Sequence, residues 1–140
     1  MENLKINTSS LLKVSPLAAL AAATINAVLY FIGDATGMID KAIGIPGPDG
    51  AVQSITLVPV IMSSIIPTLI AAGVLLLLNR FTENPIRIYG IVTIVLFVVT
   101  LANPFMGIPN IPLSMGIWLD LMHAVVAGVA WYAFSNYTKK

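Results

Sequence analysis

Apolar residues fall into four long runs that short polar stretches separate. The runs cover residues 16–33, 54–78, 88–103 and 113–132. A hydrocarbon core about 30 Å thick needs about 20 residues of helix to cross it, and the runs lack the alternation that marks barrel strands. The pattern therefore predicts an all-α fold, an antiparallel bundle of four transmembrane helices that forms a single domain over the 140 residues.

Composition and charge agree with an integral membrane protein. Hydrophobic residues make up 58% of the chain and charged residues 9%, with a mean hydropathy of +0.94, whereas an ordinary soluble chain carries about 25% charged residues. A net charge of +1 gives no sign of a nucleic-acid partner, and the absence of cysteine excludes disulfides and thiolate catalysis. The expected partner is the lipid bilayer, and no cofactor is predicted.

The placement of lysine and arginine predicts the orientation of the chain. Four crossings put six basic residues on one side and only Lys41 on the other. The six are Lys5, Lys13, Arg80, Arg87, Lys139 and Lys140. Cytoplasmic segments of membrane proteins are enriched in lysine and arginine, so both termini are predicted to be cytoplasmic.

Two further features have two interpretations each. The connection over residues 34–52 predicts either a short helix in TGMIDKAIG at the outer interface or a plain loop.

In the second span, Pro59 and Pro67 lack an N–H and free the carbonyls of Ile55 and Ser63. The resulting kinks either improve packing or open a cavity in the outer half of the bundle.

The fourth span carries an aspartate and a histidine inside WLDLMHAVV. Asp120 and His123 share helical spacing with Ala124, Ala127 and Gly128. Small residues on one stripe are typical of close helix contact in membranes, and a charged side chain in the bilayer is costly. We therefore expect this face to point into the bundle.

The first span has a matching stripe that becomes polar toward its outer end. Counted from the membrane surfaces, Asn26 lies level with His123, and Tyr30 lies level with Asp120. Together with polar groups of the other spans, these residues predict an outward-facing polar pocket. Its candidate ligand-binding residues are Asp120, His123, Asn26, Tyr30, Ser63 and Asp34.

Several functions are compatible with such a pocket. An aspartate beside a histidine can raise the proton affinity of the ring and fix its tautomer. The leading prediction is the binding of a small molecule or a lipid headgroup. A proton-coupled transporter, a membrane enzyme acting on a lipid- or quinone-like substrate, and a structural subunit held by interhelical hydrogen bonds stay open, as does a homo-oligomer. No metal site is predicted, because the chain has one histidine and no cysteine.

A family resemblance adds to this interpretation. Asn26 in span one, the prolines of span two and HAVVAG from His123 to Gly128 resemble small bacterial four-helix membrane proteins of unknown function, with DoxX-like proteins as a similar size class. The resemblance implies an inner-membrane location and no established reaction. Small multidrug exporters also have four spans, but their pattern has a glutamate within the first span. This chain has Asn26 there instead, which argues against a resemblance to them.

Overall fold

The computed structural model describes residues 5–139, so Lys140 lies outside the described residues. The elements are α1 (Thr8–Ala35), β1 (Gly44–Pro46), β2 (Val52–Ser54), α2 (Leu57–Phe81), α3 (Pro85–Thr100), α4 (Asn103–Gly107) and α5 (Leu113–Tyr137). Four segments are long and apolar enough to cross a bilayer, namely α1, α2, α5 and the stretch Pro85–Gly107 that holds α3 and α4. The predicted all-α membrane bundle is therefore confirmed.

The core of the bundle is formed by α1, α2 and α5. The face of α1 toward these helices carries small buried residues, among them Ala18, Ala19 and Ala22. Small side chains let helices approach closely in a membrane, where packing replaces the hydrophobic effect. Larger side chains of α5, such as Met122 and Phe134, are buried in this core.

The position of α3 is more peripheral. Its buried residues are Pro85, Tyr89 and Gly90, all in its first two turns. Pro85 starts the helix, where the missing N–H of proline costs nothing. Beyond Gly90 the residues of α3 are exposed or half-buried, and a cleft separates this part of the helix from α2 and α5.

Both chain ends meet the α2–α3 turn at one end of the bundle, here named the terminal end. The Lys5 ammonium donates to the carbonyls of Asn79 and Thr82 at 2.7 and 2.8 Å, which provides partners for carbonyls at the end of α2. The Asn7 N–H donates to the Thr138 carbonyl at 2.6 Å. The bundle thus has an even number of crossings.

The opposite end, here named the hairpin end, carries the antiparallel pair β1 and β2, in which Ile45 pairs with Gln53. No helix lies between α1 and α2 within the described residues 36–56, so of the two interpretations of this connection the interfacial helix is wrong. Ile39 is buried rather than facing lipid and packs in a cluster with Tyr30 and Met115. The packing of Ile39 therefore holds this loop against the helices of the bundle.

Candidate functional site

A buried amide joins three helices at the centre of the bundle. Asn26 Nδ2 donates to Ser64 Oγ of α2 at 2.9 Å and to the Met122 carbonyl of α5 at 3.0 Å. Ser64 Oγ in turn donates to the Val60 carbonyl at 2.9 Å. Asn26 is 2% exposed, so this network lies in the packed core between α1, α2 and α5. Its geometry is that of interhelical hydrogen bonding rather than of an open site.

The polar stripe of α5 forms a single face, as predicted, but the expectation that it turns toward Asn26 on α1 is wrong. His123 is exposed, and its ring stacks on Phe97 of α3 with centroids 6.4 Å apart and planes inclined by 27°. Ala124, Ala127 and Gly128 of the same stripe border a groove of about 320 Å³ between α3 and α5. His123, Ala124 and Ala127 therefore lie toward α3, whereas Gly128 also borders a groove beside α1.

Side-chain size explains this direction. Ala18 of α1 packs in one buried cluster with Ala130 and Phe134 of α5, and Met115 and Met122 of α5 pack in another with Tyr30 of α1. Packing large residues against small ones removes more empty space than packing two small stripes together. The small stripe of α5 is consequently left to border the cleft beside α3.

The cleft between α2, α3 and α5, here named the α2–α3–α5 cleft, has a volume of about 300 Å³. Its wall is mostly apolar and includes Pro67, Phe97 and Ala127. The polar side chains that line it are Ser63, Thr68, Tyr89, Thr93, Thr100 and His123. An apolar cavity with a few polar groups is typical of small-molecule sites.

Two of these polar residues lie at the same depth in the bundle. Ser63 precedes Ser64 and His123 follows Met122, and both Ser64 and Met122 are bonded to Asn26. Successive helical residues differ by only about 1.5 Å in height. Ser63 and His123 therefore face the cleft on a common level, which is set by the Asn26 network.

Pro67 leaves one backbone carbonyl of this cleft without its helical donor. The residue lies inside α2, and its missing N–H cannot bond the Ser63 carbonyl four residues earlier. Ser63 and Pro67 both line the cleft, so the missing bond lies on the cleft side. No side-chain hydrogen bond within the described part of the chain ends on that carbonyl. The hydroxyl of Thr68, one residue beyond Pro67, donates to the Ser64 carbonyl instead.

Pro59 has no such effect, contrary to the sequence-based expectation. The helix α2 begins at Leu57, so Pro59 stands in its first turn, where N–H groups have no helical partner. The carbonyl of Ile55 precedes the helix and accepts a hydrogen bond from the Tyr30 hydroxyl at 3.4 Å. Only one of the two prolines therefore opens the α2 hydrogen-bond ladder.

The remaining candidates stand apart from the cleft. Tyr30 is 7% exposed and belongs to the core. Asp34 pairs with Lys41 at the hairpin end, with Nζ 2.9 Å from Oδ1. Hydrogen bonding to the Asp34 carboxylate, followed by its charge, raises the pKa of Lys41 above 10.5.

Asp120 lies on the same face of α5 as His123, three residues nearer the hairpin end. The side chain is half-buried. Its Oδ1 is fully buried and has no hydrogen-bond partner within residues 5–139, and the same is true of Asn26 Oδ1. Asp120 and Asn26 are therefore not bonded to each other, and the expected common pocket divides into a packed core and a cleft.

Phe97 is the residue of this site that the sequence did not indicate. An apolar residue in an apolar run carries no chemical signal. Its place between Thr93 and Thr100, four and three residues away, puts all three on one face. That spacing on the third span could have pointed to the residue opposite His123.

Comparisons with known proteins give a family but no activity. A family model described as "Family of unknown function (DUF6069)" matches residues 7–140. No curated protein and no solved structure matches the chain at a significant level.

Proposed function

The chain belongs to the DUF6069 family, and from its geometry we propose that it is an integral membrane protein that binds a small lipophilic molecule in the α2–α3–α5 cleft. The observation that carries this proposal is the cleft itself, in which His123 stacks on Phe97 beside Ser63 and Pro67. The cleft measures about 300 Å³, which is the size of a small ligand site.

The route into the cleft leads from the bilayer. The residues of α3 beyond Gly90 include exposed apolar side chains, such as Leu96 on the rim of the cleft. In a membrane these side chains contact acyl chains. A lipophilic ligand concentrates in the bilayer and enters between α3 and its neighbours.

The orientation that we propose places the terminal end in the cytoplasm of a bacterial inner membrane. The described basic residues of that end are Lys5, Lys13, Arg80, Arg87 and Lys139. Lys41, at the hairpin end, is paired with Asp34. The positive-inside rule concerns such lysine and arginine bias in short segments.

Photolabelling tests ligand binding. The protein in lipid nanodiscs is irradiated with phenyl(trifluoromethyl)diazirine, and the labelled residues are mapped by mass spectrometry. We expect saturable labelling around Phe97 and His123, superimposed on non-saturable labelling of the lipid-facing surface. Labelling that does not saturate at these positions contradicts the proposal.

A matched pair of variants locates the saturable site. Ala127→Phe adds a ring to the wall of the cleft and is expected to abolish saturable labelling. Leu121→Phe adds a ring to an exposed position on the same helix that does not line the cleft, and is expected to leave labelling unchanged. Equal labelling of both variants would place the ligand elsewhere.

Single cysteines test the orientation, since the chain has none of its own. Ser114 at the hairpin end and Lys139 at the terminal end are both exposed. In intact cells, an impermeant maleimide should label Ser114→Cys, whereas Lys139→Cys should react only after permeabilisation. The reverse result overturns the orientation.

A further inference from the structure

We infer that the ligand of the α2–α3–α5 cleft is a phenol, an aromatic molecule that donates its ring hydroxyl hydrogen to the Ser63 carbonyl. The inference rests on the proposed function and names the chemistry of the molecule that the cleft selects. Two observations carry it: Pro67 leaves the Ser63 carbonyl beside the cleft without its helical donor, and the polar level of the cleft adjoins a pair of stacked rings.

The Ser63 carbonyl is the first acceptor. Pro67 cannot donate to it, and the bond is missing on the surface of α2 that lines the cleft. An unsatisfied carbonyl in an apolar environment is costly. A ligand that brings a donor removes this cost, whereas a ligand that brings only an ether or ketone oxygen leaves it in place.

Three of the five hydroxyls that line the cleft are acceptors as well, and the other two belong to Tyr89 and Thr93. Ser63 Oγ donates to the Val60 carbonyl at 3.0 Å, and Thr68 Oγ1 donates to the Ser64 carbonyl at 2.7 Å. Thr100 Oγ1 donates to the Phe97 carbonyl at 2.9 Å. A hydroxyl has one hydrogen and two lone pairs, so these three groups have used their hydrogens on their own helices and offer lone pairs to a ligand.

The rings of Phe97 and His123 favour an aromatic body for that ligand. Their centroids are 6.4 Å apart, and both line the cleft on the level of Ser63. Aromatic rings gain stabilisation from offset or edge-on neighbours beyond the area that they bury. About 300 Å³ is at the small end of ligand sites, which suits a molecule of one or two rings.

Competition against the diazirine label distinguishes the hydroxyl from its methyl ether. The competitors are para-tert-butylphenol and para-tert-butylanisole, each titrated as a mole fraction of the nanodisc lipid. One net hydrogen bond corresponds to roughly tenfold in affinity, so the phenol should suppress labelling of Phe97 and His123 at roughly one tenth of the ether's mole fraction. Equal potency, or a more potent ether, overturns the inference.

A pair of proline variants tests the role of the Ser63 carbonyl. Pro67→Ala restores the N–H that bonds this carbonyl, so the potency of the phenol should fall to that of the ether while the ether is unchanged. Pro59→Ala is the matched control, because Pro59 stands in the first turn of α2, and it should retain the tenfold preference. A preference that survives Pro67→Ala assigns the hydroxyl to another group and contradicts the inference.

The outcomes separate this inference from the proposed function. Saturable labelling that both competitors suppress equally leaves ligand binding in the cleft intact and removes only the selection for a donor. Labelling that never saturates removes the proposed function and the inference with it. If Pro67→Ala does not fold, the ratio of the two competitors on the unaltered protein still decides.

Discussion

The amide nitrogen of Asn26 lies 2.9 Å from the hydroxyl oxygen of Ser64 and bonds the Met122 carbonyl as well. One side chain of α1 thereby sets the relative height of α2 and α5. Because Ser63 and His123 are the chain neighbours of the two bonded residues, the same contact aligns the polar level of the cleft. The core network and the candidate site are therefore mechanically linked, although their residues are different.

The Asn26 network should contribute measurably to stability. Interhelical hydrogen bonds in membrane proteins are worth about 0.6 to 2 kcal/mol each. We expect Ser64→Ala, which removes one of these bonds, to lower the free energy of unfolding by an amount in that range, and Asn26→Ala, which removes two, to lower it by about twice as much. The double variant should lose less than the sum. Steric trapping in bicelles measures these values. Ser63→Ala is the control, since Ser63 bonds only its own helix, and a loss as large as that of Ser64→Ala would contradict the assignment.

Two glycines should respond oppositely to alanine. A Cβ on Gly33 would lie 2.5 Å from Trp118 Nε1 and 3.0 Å from Ile39, so Trp118 would lose its 3.2 Å bond to the Leu29 carbonyl. Overpacking of this kind costs about 1 to 3 kcal/mol. A Cβ on Gly128 meets nothing within 4 Å, and alanine gains up to about 1 kcal/mol in a helix. Thermal unfolding in detergent should rank Gly128→Ala above the unaltered protein and Gly33→Ala below it.

The helices were predictable because bilayer thickness imposes their length on the sequence. Each apolar run contains the middle of an observed transmembrane segment, and the ends differ by several residues because polar turns such as those around Lys13 and Asn136 continue the helices. The hairpin was not predicted. Its strands of three residues are too short for a pattern, and they form because the turn around Gly50 takes a positive φ of 78°.

The stripe on α5 shows how much of a site can be predicted from a single sequence. Spacing alone groups Asp120, His123 and Ala127 on one face, because helical periodicity is local. Which helix that face meets depends on which side of α5 packs against α1, and that side carries Met122, whose carbonyl accepts a hydrogen bond from Asn26. The direction of a face is decided by packing between distant segments, which periodicity within one span does not contain.

The ion pair at the hairpin end should titrate in alkaline solution. The pKa of Lys41 is raised above 10.5, chiefly by its hydrogen bond to Asp34. A raised lysine pKa means that the pair stabilises the loop fully below 10.5 and loses this contribution as the pH rises through the folded-state pKa. A spin label on Ala42→Cys should therefore become more mobile in that alkaline range. Adding Asp34→Asn should give the mobile spectrum already at neutral pH, and an alkaline step that persists in that variant would contradict the pairing.

Asp120 and Asn26 should respond differently to replacement by leucine. Asn26 donates two hydrogen bonds, whereas Asp120 Oδ1 is buried with no partner within the described residues 5–139. A buried polar group without a partner costs about 1 to 3 kcal/mol, and a carboxylate in the bilayer adds to that cost.

We therefore expect Asp120→Leu to raise the midpoint of thermal unfolding in detergent and Asn26→Leu to lower it. Asp120→Asn keeps the size but not the charge and should fall between Asp120→Leu and the unaltered protein. A destabilised Asp120→Leu would indicate that the carboxylate has a partner beyond the described residues 5–139. Comparing unfolding midpoints at several protein concentrations would then test whether that partner is a second copy, because stabilisation by self-association depends on concentration.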